Sequence, residues 1–411
     1  MRIGMMTDIY KPYISGVTNY IEISKRYLER LGHEVFIFTF GDLEYEDKET
    51  RVYRSPGVAL ADTGFYLSMQ YSREAKQALQ TMDVAHVHHP FLSGQLALRY
   101  CRLMRIPIVY TNHTRYDLYA RTYLPLMPEQ MSHAFLQTYM PSFCEAVQMT
   151  VAPSAGMAQI LKQLNVKAQV EVIPNGVELA RFRKAQPHRR ESFGYKKDDL
   201  ILIYSGRIAP EKNLPFLLKA FARIAQALPR AKLALIGGGT PAYESEISEL
   251  IEELHIAQSA RMFGKVEYET LPAYLAMGDI FTTASVTEVH PLSLIEAMGA
   301  GLPTVGVRSV GVGDVIIDGI TGKLTSHDLP AYTTALMRLC MDGALRQRMS
   351  LASRQAAERY DIALTSQTML AHYERLAADA QRQKTQRGLR LREVLETRLK
   401  NPLPLKKRAG N

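Results

Sequence analysis

Two carboxylates and two cations carry the clearest chemical potential in this chain. Glu296 follows Glu288 by eight residues, with His290 and Pro291 between them and Gly299 and Gly301 closing the run. Pro at a first helical position and Gly past the last turn are start and stop signals. The stretch 285–305 therefore predicts a loop with one acid, a short helix with the second, and then a strand over 303–307. A helix start offers free N–H groups and partial positive charge, which suits a phosphate. A carboxylate is an acceptor that can grip sugar hydroxyls. The combination describes a site for a sugar nucleotide; alone, the stretch fits a surface helix with two solvated acids equally well. Arg207 and Lys212 flank a predicted strand-to-helix loop. Two cations there, backed by helix N–H groups, can neutralise a diphosphate, or can simply be solvated. The chain has no Asp-x-Asp pair to hold a divalent ion against a diphosphate, which favours metal-independent binding.

The elements that would position these residues alternate strand and helix. In the first half, strand 2–7 leads through Ser15-Gly16 into a helix from Val17 to about Leu31, and Gly32 precedes strand 34–40. This is a parallel-sheet unit. Its loop is not GxGxxG, so a dinucleotide site is a poor reading; Ser15-Gly16 still lets a ligand approach the backbone, or serves only the turn. Strand 84–88 ends in His86, His88, His89 and Pro90, and strand 106–111 runs into Asn112, His113, Thr114, Arg115 and Tyr116. Both histidine clusters fall at strand carboxyl ends, where open sheets bind ligands; their spacing matches no recognised zinc pattern. Residues 127–151 read as mostly helical with a kink or break at Pro141, 154–164 as helix and 170–173 as strand. Pro174-Asn175-Gly176-Val177 is a turn, and 181–199 is charged and irregular.

The second half repeats this plan: strand 200–205, helix 214–228, strand 232–236 before Gly237-Gly238-Gly239, helix 244–254, strand 261–263 before Gly264, helix 271–277 and strand 280–283. Helices then follow strand 303–307 to about residue 379. The expected fold is α/β, with two doubly wound Rossmann-like domains facing across a cleft. Residues 1–175 would form the first domain, 176–380 the second, sugar-nucleotide-binding one (its last helix returning to the first domain), and 381–411 a basic tail.

A length of 411 residues exceeds one ordinary core, and 46% hydrophobic with 22% charged residues is a soluble globular composition. Cys101, Cys144 and Cys340 are scattered and imply neither a disulfide framework nor a metal site. The start, MRIGMMTDIY, reads as a strand and not as a signal peptide, and no run is apolar enough to span a membrane. A cytoplasmic location is expected. Between Arg382 and Asn411 ten basic residues stand against two acids, so eight of the nine net positive charges lie in the tail. Such a tail can bind anionic lipid or nucleic acid, or be solvated.

Five motifs in order carry a resemblance: Ser205-Gly206-Arg207 with Glu211-Lys212-Asn213; Ile236 to Gly239; Phe263-Gly264-Lys265-Val266; Glu288 with Glu296-Ala297-Met298; and, at the front, Ser15-Gly16-Val17 with the turn 174–177. Over about residues 1–375 the chain resembles the retaining glycosyltransferase family 4, of GT-B fold. Residues 87–94 and 111–116 are similar, more narrowly, to bacterial diacylglycerol glucosyltransferases and related lipid glycosyltransferases. The resemblance implies a retaining hexosyltransferase of the EC 2.4 class with no cofactor and no protein nucleophile. Its nucleotide-sugar co-substrate would be UDP- or GDP-linked, UDP-glucose first. Arg207 and Lys212 would hold the diphosphate and its developing charge, Glu288 the donor sugar and Glu296 the ribose. Backbone at Pro291, Leu292, Ser293 and Leu294 would face the phosphates. Gly238, Gly264 and Val266 would lie along the donor near its base, Gly16 would make room for the diphosphate, and His113 would lie against the transferred sugar. Two departures stand out: Pro291 replaces a common Gly and removes one phosphate-facing N–H, and His290 replaces an aromatic residue or Gln.

On the acceptor side, Arg115 and Tyr116 are candidate contacts, and the loop 119–127 is apolar and aromatic enough either to dip into a membrane surface or to pack on its own domain. In the tail, Leu391, Val394, Leu395 and Leu399 recur at helical spacing before Asn401-Pro402. This suggests shallow peripheral binding to an anionic membrane, at the inner face of the plasma membrane, where each basic residue contributes about 1 kcal/mol; a disordered tail is the plainer alternative. The acceptor on this reading is a membrane lipid such as diacylglycerol. The rivals are a soluble sugar or polysaccharide acceptor, and a silent scaffold whose tail binds nucleic acid; Arg207, Lys212, Glu288 and Glu296 speak against the scaffold, so no nucleic-acid partner is expected.

Overall fold

The computed structural model describes residues 1–60, 66–118 and 129–400. The expected loop contacts over 119–127 and the tail beyond Lys400 lie outside the described residues.

Two all-parallel sheets organise the chain. The first contains β1 (Arg2–Met6), β2 (Glu34–Phe40), β3 (Val52–Ser55), β6 (Val84–Val87), β7 (Ile108–Thr111), β8 (Met149–Ala152) and β9 (Val170–Val172), in the order β3-β2-β1-β6-β7-β8-β9. A small antiparallel pair, β4 (Val58–Ala59) and β5 (Tyr66–Leu67), stands apart from it. The second contains β10 (Leu200–Ser205), β11 (Ala231–Ile236), β12 (Ala260–Gly264), β13 (Ile280–Thr283), β14 (Thr304–Val307) and β15 (Gly322–Thr325), in the order β12-β11-β10-β13-β14-β15. Strands such as β10 are buried along their whole length, as parallel sheets covered on both faces require. Each sheet reverses its winding once, between β1 and β6 and between β10 and β13. The crevices at the carboxyl ends of those strand pairs are where such sheets hold ligands.

In the first half the helices are α1 (Gly16–Arg30), α2 (Arg73–Leu79), α3 (Leu92–Met104), α4 (Glu129–Ala146) and α5 (Ala155–Gln163). In the second they are α6 (Leu179–Arg183), α7 (Leu214–Ala227), α8 (Pro241–Glu253), α9 (Leu271–Ala276), α10 (Leu292–Ala300), α11 (Val310–Val315), α12 (Leu329–Met341), α13 (Gly343–Ala357) and α14 (Ile362–Lys400). The chain passes between halves twice, and the two crossings pair: Val177 N–H donates to Tyr360 O at 2.9 Å, and Ile362 N–H to Val177 O at 3.0 Å. A Cβ on Gly176 would lie 2.2 Å from Thr365 Oγ1 and 2.8 Å from Ile362 Cα, so the crossing needs glycine for approach. Beyond it, α14 buries Met369 and Tyr373 in the first half's core with Tyr20, Ile21 and Leu28 of α1. A second contact joins the halves: Ser154 Oγ donates to Val289 O at 3.0 Å, and Gly156 N–H to Asp314 Oδ2 at 2.7 Å.

Several sequence expectations need correcting. Residues 149–151 are not helix but part of β8, a short fully buried run paired to β7 and β9; periodicity cannot separate such a run from a buried helix. β15 was likewise absorbed into the expected helical region; as Gly-Lys-Leu-Thr it carries almost no apolar alternation. Pro141 does not break α4. The stretch 181–199, expected to be irregular, begins inside α6, which is ordered by burial of Leu179 and Phe182. Helix α14 continues well past residue 379, through the segment where apolar residues recur at helical spacing.

Glycine at 237 serves packing: a Cβ there, at φ +138°, would stand 1.9 Å from Gly206 O, so the ends of β10 and β11 close only over a bare Cα. At Gly264, φ +68°, an added Cβ would meet nothing within 4 Å. Gly264→Ala should cost about 1–2 kcal/mol of backbone strain, and Gly237→Ala about 3 kcal/mol or more. Urea unfolding of both variants checks this, and equal losses would refute the close-approach argument.

Candidate active site

The carboxyl ends of β10 and β13 meet at the winding reversal of the second sheet, and the predicted donor residues gather there. After β10, residues Pro210–Lys212 make a 3-10 turn, and Asn213 takes a left-handed conformation (φ 54°) that starts α7. After β13, Ser285 Oγ and Thr287 Oγ1 both donate to Glu211 O, at 3.3 and 3.5 Å, which ties the two loops together. Lys212 Nζ then lies 2.5 Å from Glu288 Oε1, with 18% of each side chain exposed. Burial alone would lower the Lys212 pKa and raise that of Glu288. Their mutual attraction outweighs burial in both, so Lys212 stands above its usual value and Glu288 below it. Arg207 is half-exposed; it pairs with Glu211 at 2.7 Å and donates to the Tyr13 hydroxyl at 3.2 Å, reaching across to the β1–α1 loop.

Between the two acids the structure departs slightly from expectation. Pro291 is the extended N-cap of α10, not its first residue; the helix begins at Leu292 and ends at Gly301 in a left-handed turn. No side chain caps this start, so the N–H groups of Leu292, Ser293 and Leu294 are placed for an anion. Glu296 faces inward on α10, 4% exposed, and accepts from the Tyr268 hydroxyl at 2.8 Å. The Arg181 guanidinium lies 5.3 Å from the centroid of the Tyr268 ring. Burial pushes Glu296 up to about 7, opposed by Tyr268 and Arg181. His290 is buried edge-on against Tyr360, and burial and Arg359 push it down to about 3; it is a neutral ring.

The remaining sequence candidates separate. Gly16 opens α1 behind its cap Ser15, and a Cβ on it would meet nothing within 4 Å, so space exists there. Gly238 and Gly264 lie at the ends of β11 and β12, where Gly237 N–H donates to Gly264 O at 2.9 Å, and Val266 packs partly buried beside them. His113 follows β7 and is only partly buried; its Nε2 is 3.0 Å from His88 Nδ1. Arg115 and Tyr116, expected to contact the acceptor, are both buried: Arg115 forms a two-pronged pair with Asp117 at 2.9 and 2.7 Å, and Tyr116 packs edge-on against Phe91. Neither is exposed in this conformation, because the carboxylate two residues on satisfies the guanidinium locally. Among the described residues no group of three His, Cys, Asp or Glu is arranged to hold a metal ion.

Sequence reasoning missed Tyr13, Glu211, Arg181 and Tyr268 as partners of the expected residues. Only Glu211 had a signal, its four-residue offset from Arg207. The two tyrosines come from remote loops and carry no spacing at all.

Family models match along both halves: "Glycosyltransferase Family 4" over residues 14–181 and "Glycosyl transferases group 1" over residues 185–356. The chain is 30% identical to an alpha-monoglucosyldiacylglycerol synthase of Streptococcus pneumoniae, over 80% of this chain and 76% of that one. It is 29% identical to the enzyme of the same name from Acholeplasma laidlawii, over 78% and 84%. The crystal structure of Anabaena HepE in complex with UDP and glucose superposes with a TM-score of 0.73 over 91% of this chain and 99% of that one, at 18% identity.

The raised Glu296 makes a stability prediction. The folded chain holds a proton there that the unfolded chain releases near 4.5. The stabilisation is therefore complete below pH 4.5 and is lost as pH rises through about 7. Glu296→Gln should match wild type near pH 5 and exceed it by about 1–3 kcal/mol at about pH 8. Urea titrations at the two pH values measure it, and a variant less stable at the higher pH would sink the assignment.

Proposed function

The chain belongs to glycosyltransferase family 4 and has the GT-B fold, and on that premise we propose that it moves a hexose, glucose first, from a nucleotide sugar to a diacylglycerol-class membrane lipid, with retention of configuration. The observation that carries the reading is the convergence of Lys212, Arg207, Glu288 and the uncapped start of α10 on the winding reversal of the second sheet. The two relatives named for monoglucosyldiacylglycerol synthesis support the glucose and lipid parts, and the UDP and glucose in the Anabaena structure support a UDP-linked donor.

The donor diphosphate takes the place next to Lys212 and Arg207. An ammonium has three N–H donors and Glu288 uses one, so Lys212 can hold the carboxylate and a phosphate oxygen together. As the bond to the sugar breaks, negative charge grows on the diphosphate. The two cations and the α10 N–H groups stabilise it without reorganising. These fixed positive charges do the work a divalent ion would do, so the transfer runs without metal. Glu288 accepts from sugar hydroxyls and Glu296 from the ribose. The acceptor hydroxyl attacks from the face the diphosphate leaves, and its proton passes to the departing phosphate oxygen, so no side chain acts as nucleophile. Pro291 contributes no N–H, and its neighbours Leu292 to Leu294 carry the phosphate contacts.

Among the described residues no helix is long and apolar enough to cross a membrane. The basic residues from Arg382 onward hold the protein peripherally on an anionic leaflet at the inner face of the plasma membrane.

Incubation with a panel of nucleotide sugars and lipid extract, read by mass spectrometry, should yield a hexosyl-diacylglycerol from UDP-glucose. A product only on soluble saccharide acceptors would overturn the lipid assignment. Lys212→Ala and Glu288→Gln should each lower turnover by at least about 100-fold with the fold retained by circular dichroism; full activity in either would remove it from the site. In a separate test, the chain should float with vesicles containing anionic lipid, and truncation after residue 381 should abolish flotation. Equal flotation of the truncated chain, or a tail-dependent shift with RNA in its place, counts against the tail's assigned partner.

A further inference from the structure

A stack of buried histidines behind His113 is left unused by the mechanism above. His88, at the carboxyl end of β6, is fully buried, and its Nδ1 lies 3.0 Å from His113 Nε2. The His86 ring packs tilted against it with centroids 4.2 Å apart. His86 is itself fixed at both nitrogens, Nε2 by the Thr111 hydroxyl at 2.7 Å and Nδ1 by the Tyr373 hydroxyl of α14. Tyr20 of α1 packs against both other rings, 5.9 Å from His88 and 5.1 Å from His113. Burial pushes His86, His88 and His113 below the usual imidazole range, so all three are neutral at pH 7.

Between two neutral imidazoles only one hydrogen occupies the contact, and which ring supplies it depends on their other nitrogens. His88 Nε2 is buried without a partner among the described residues. A hydrogen placed there would be an orphaned buried donor; with the hydrogen on Nδ1, the orphan is only a lone pair, the lesser of the two costs. The hydrogen therefore sits on His88 Nδ1 and is donated to His113 Nε2. A neutral His113 must then carry its own hydrogen on Nδ1. Among the described residues the His113 ring makes no other hydrogen bond, so that N–H is left for a ligand.

We propose that His88 is a positioning residue that holds His113 in its Nδ1–H form, so that this nitrogen donates to an oxygen of the transferred sugar. The inference rests on the reading that places His113 against that sugar. It assigns the pair a direction: His88 gives, His113 receives at its back and gives at its front. Packing by His86 and Tyr20 supplies the orientation, and the hydrogen bond supplies the tautomer.

The test combines spectroscopy and kinetics. In protein labelled with nitrogen-15 at histidine, the His113 ring signals are identified by their loss in His113→Gln. Wild type should show the Nδ1–H pattern, and an Nε2–H pattern there would overturn the proposal even if no His88 variant folds. His88→Leu removes the donor; turnover should fall about tenfold or more, with the donor KM within about twofold, because a donor to the sugar matters most as charge develops. His88→Asn offers an amide N–H in the Nδ1 position and should recover most of that loss. Equal activities in the Leu and Asn variants would reduce His88 to packing. If His113→Gln is fully active while the wild-type tautomer is as stated, the placement of His113 at the sugar fails and the hydrogen-bond direction survives.

Discussion

An ammonium and a carboxylate 2.5 Å apart in a mostly buried cleft are tolerable only if nothing around them moves. Withdrawing each charge from water costs several kcal/mol, and attraction offsets that only at fixed geometry. The surroundings of Lys212 and Glu288 meet the demand. A left-handed Asn213 sets where the lysine leaves its turn, and two hydroxyls on one carbonyl bind the lysine's loop to the glutamate's. Both loops hang from β10 and β13, adjacent in the sheet. The rigidity needed to keep an ion pair is the same rigidity that lets charges meet a leaving group without rearranging.

Much of this was readable from sequence, for identifiable reasons. The strand over 200–205 was bounded correctly because it is a largely apolar run between Asp199 and Gly206, and the strand over 280–283 because Gly278-Asp279 precede an apolar and β-branched segment. The acids, cations and glycines of the second half stand at strand ends, so a parallel sheet necessarily gathers them on one side. What escaped was decided by partners distant in sequence. β8 is a strand because β7 and β9 flank it. Arg115 is the local exception, buried because Asp117, two residues on, answers it. Tyr268 matters through Glu296, 28 residues away. The glycine triplet was legible as the end of a strand, but not its packing: Gly237 and Gly239 lie under the backbone of Gly206 and Ile208.

The two halves are joined by more than a linker. The paired crossings at Val177 and Ile362, the Ser154 and Gly156 contacts to Val289 and Asp314, and the reach of Arg207 to Tyr13 all lie along the boundary. Tyr13 belongs to the first half and Arg207 to the second, so this guanidinium is itself steadied from across the boundary. The placement of Arg207 is fixed in this way only while the halves are together.

The return of α14 has a consequence in time. Met369 and Tyr373 complete the core beneath α1, and Tyr373 holds His86, yet a ribosome makes Tyr373 287 residues after that histidine, at roughly 5–20 residues per second. The half that emerges first is therefore finished last. For tens of seconds it must wait with one face bare while the second half, wholly encoded between the two crossings, can fold to completion as an insert. Vectorial synthesis and the order of assembly run in opposite directions here, and the nascent chain's exposed α1 face is where a chaperone would find it.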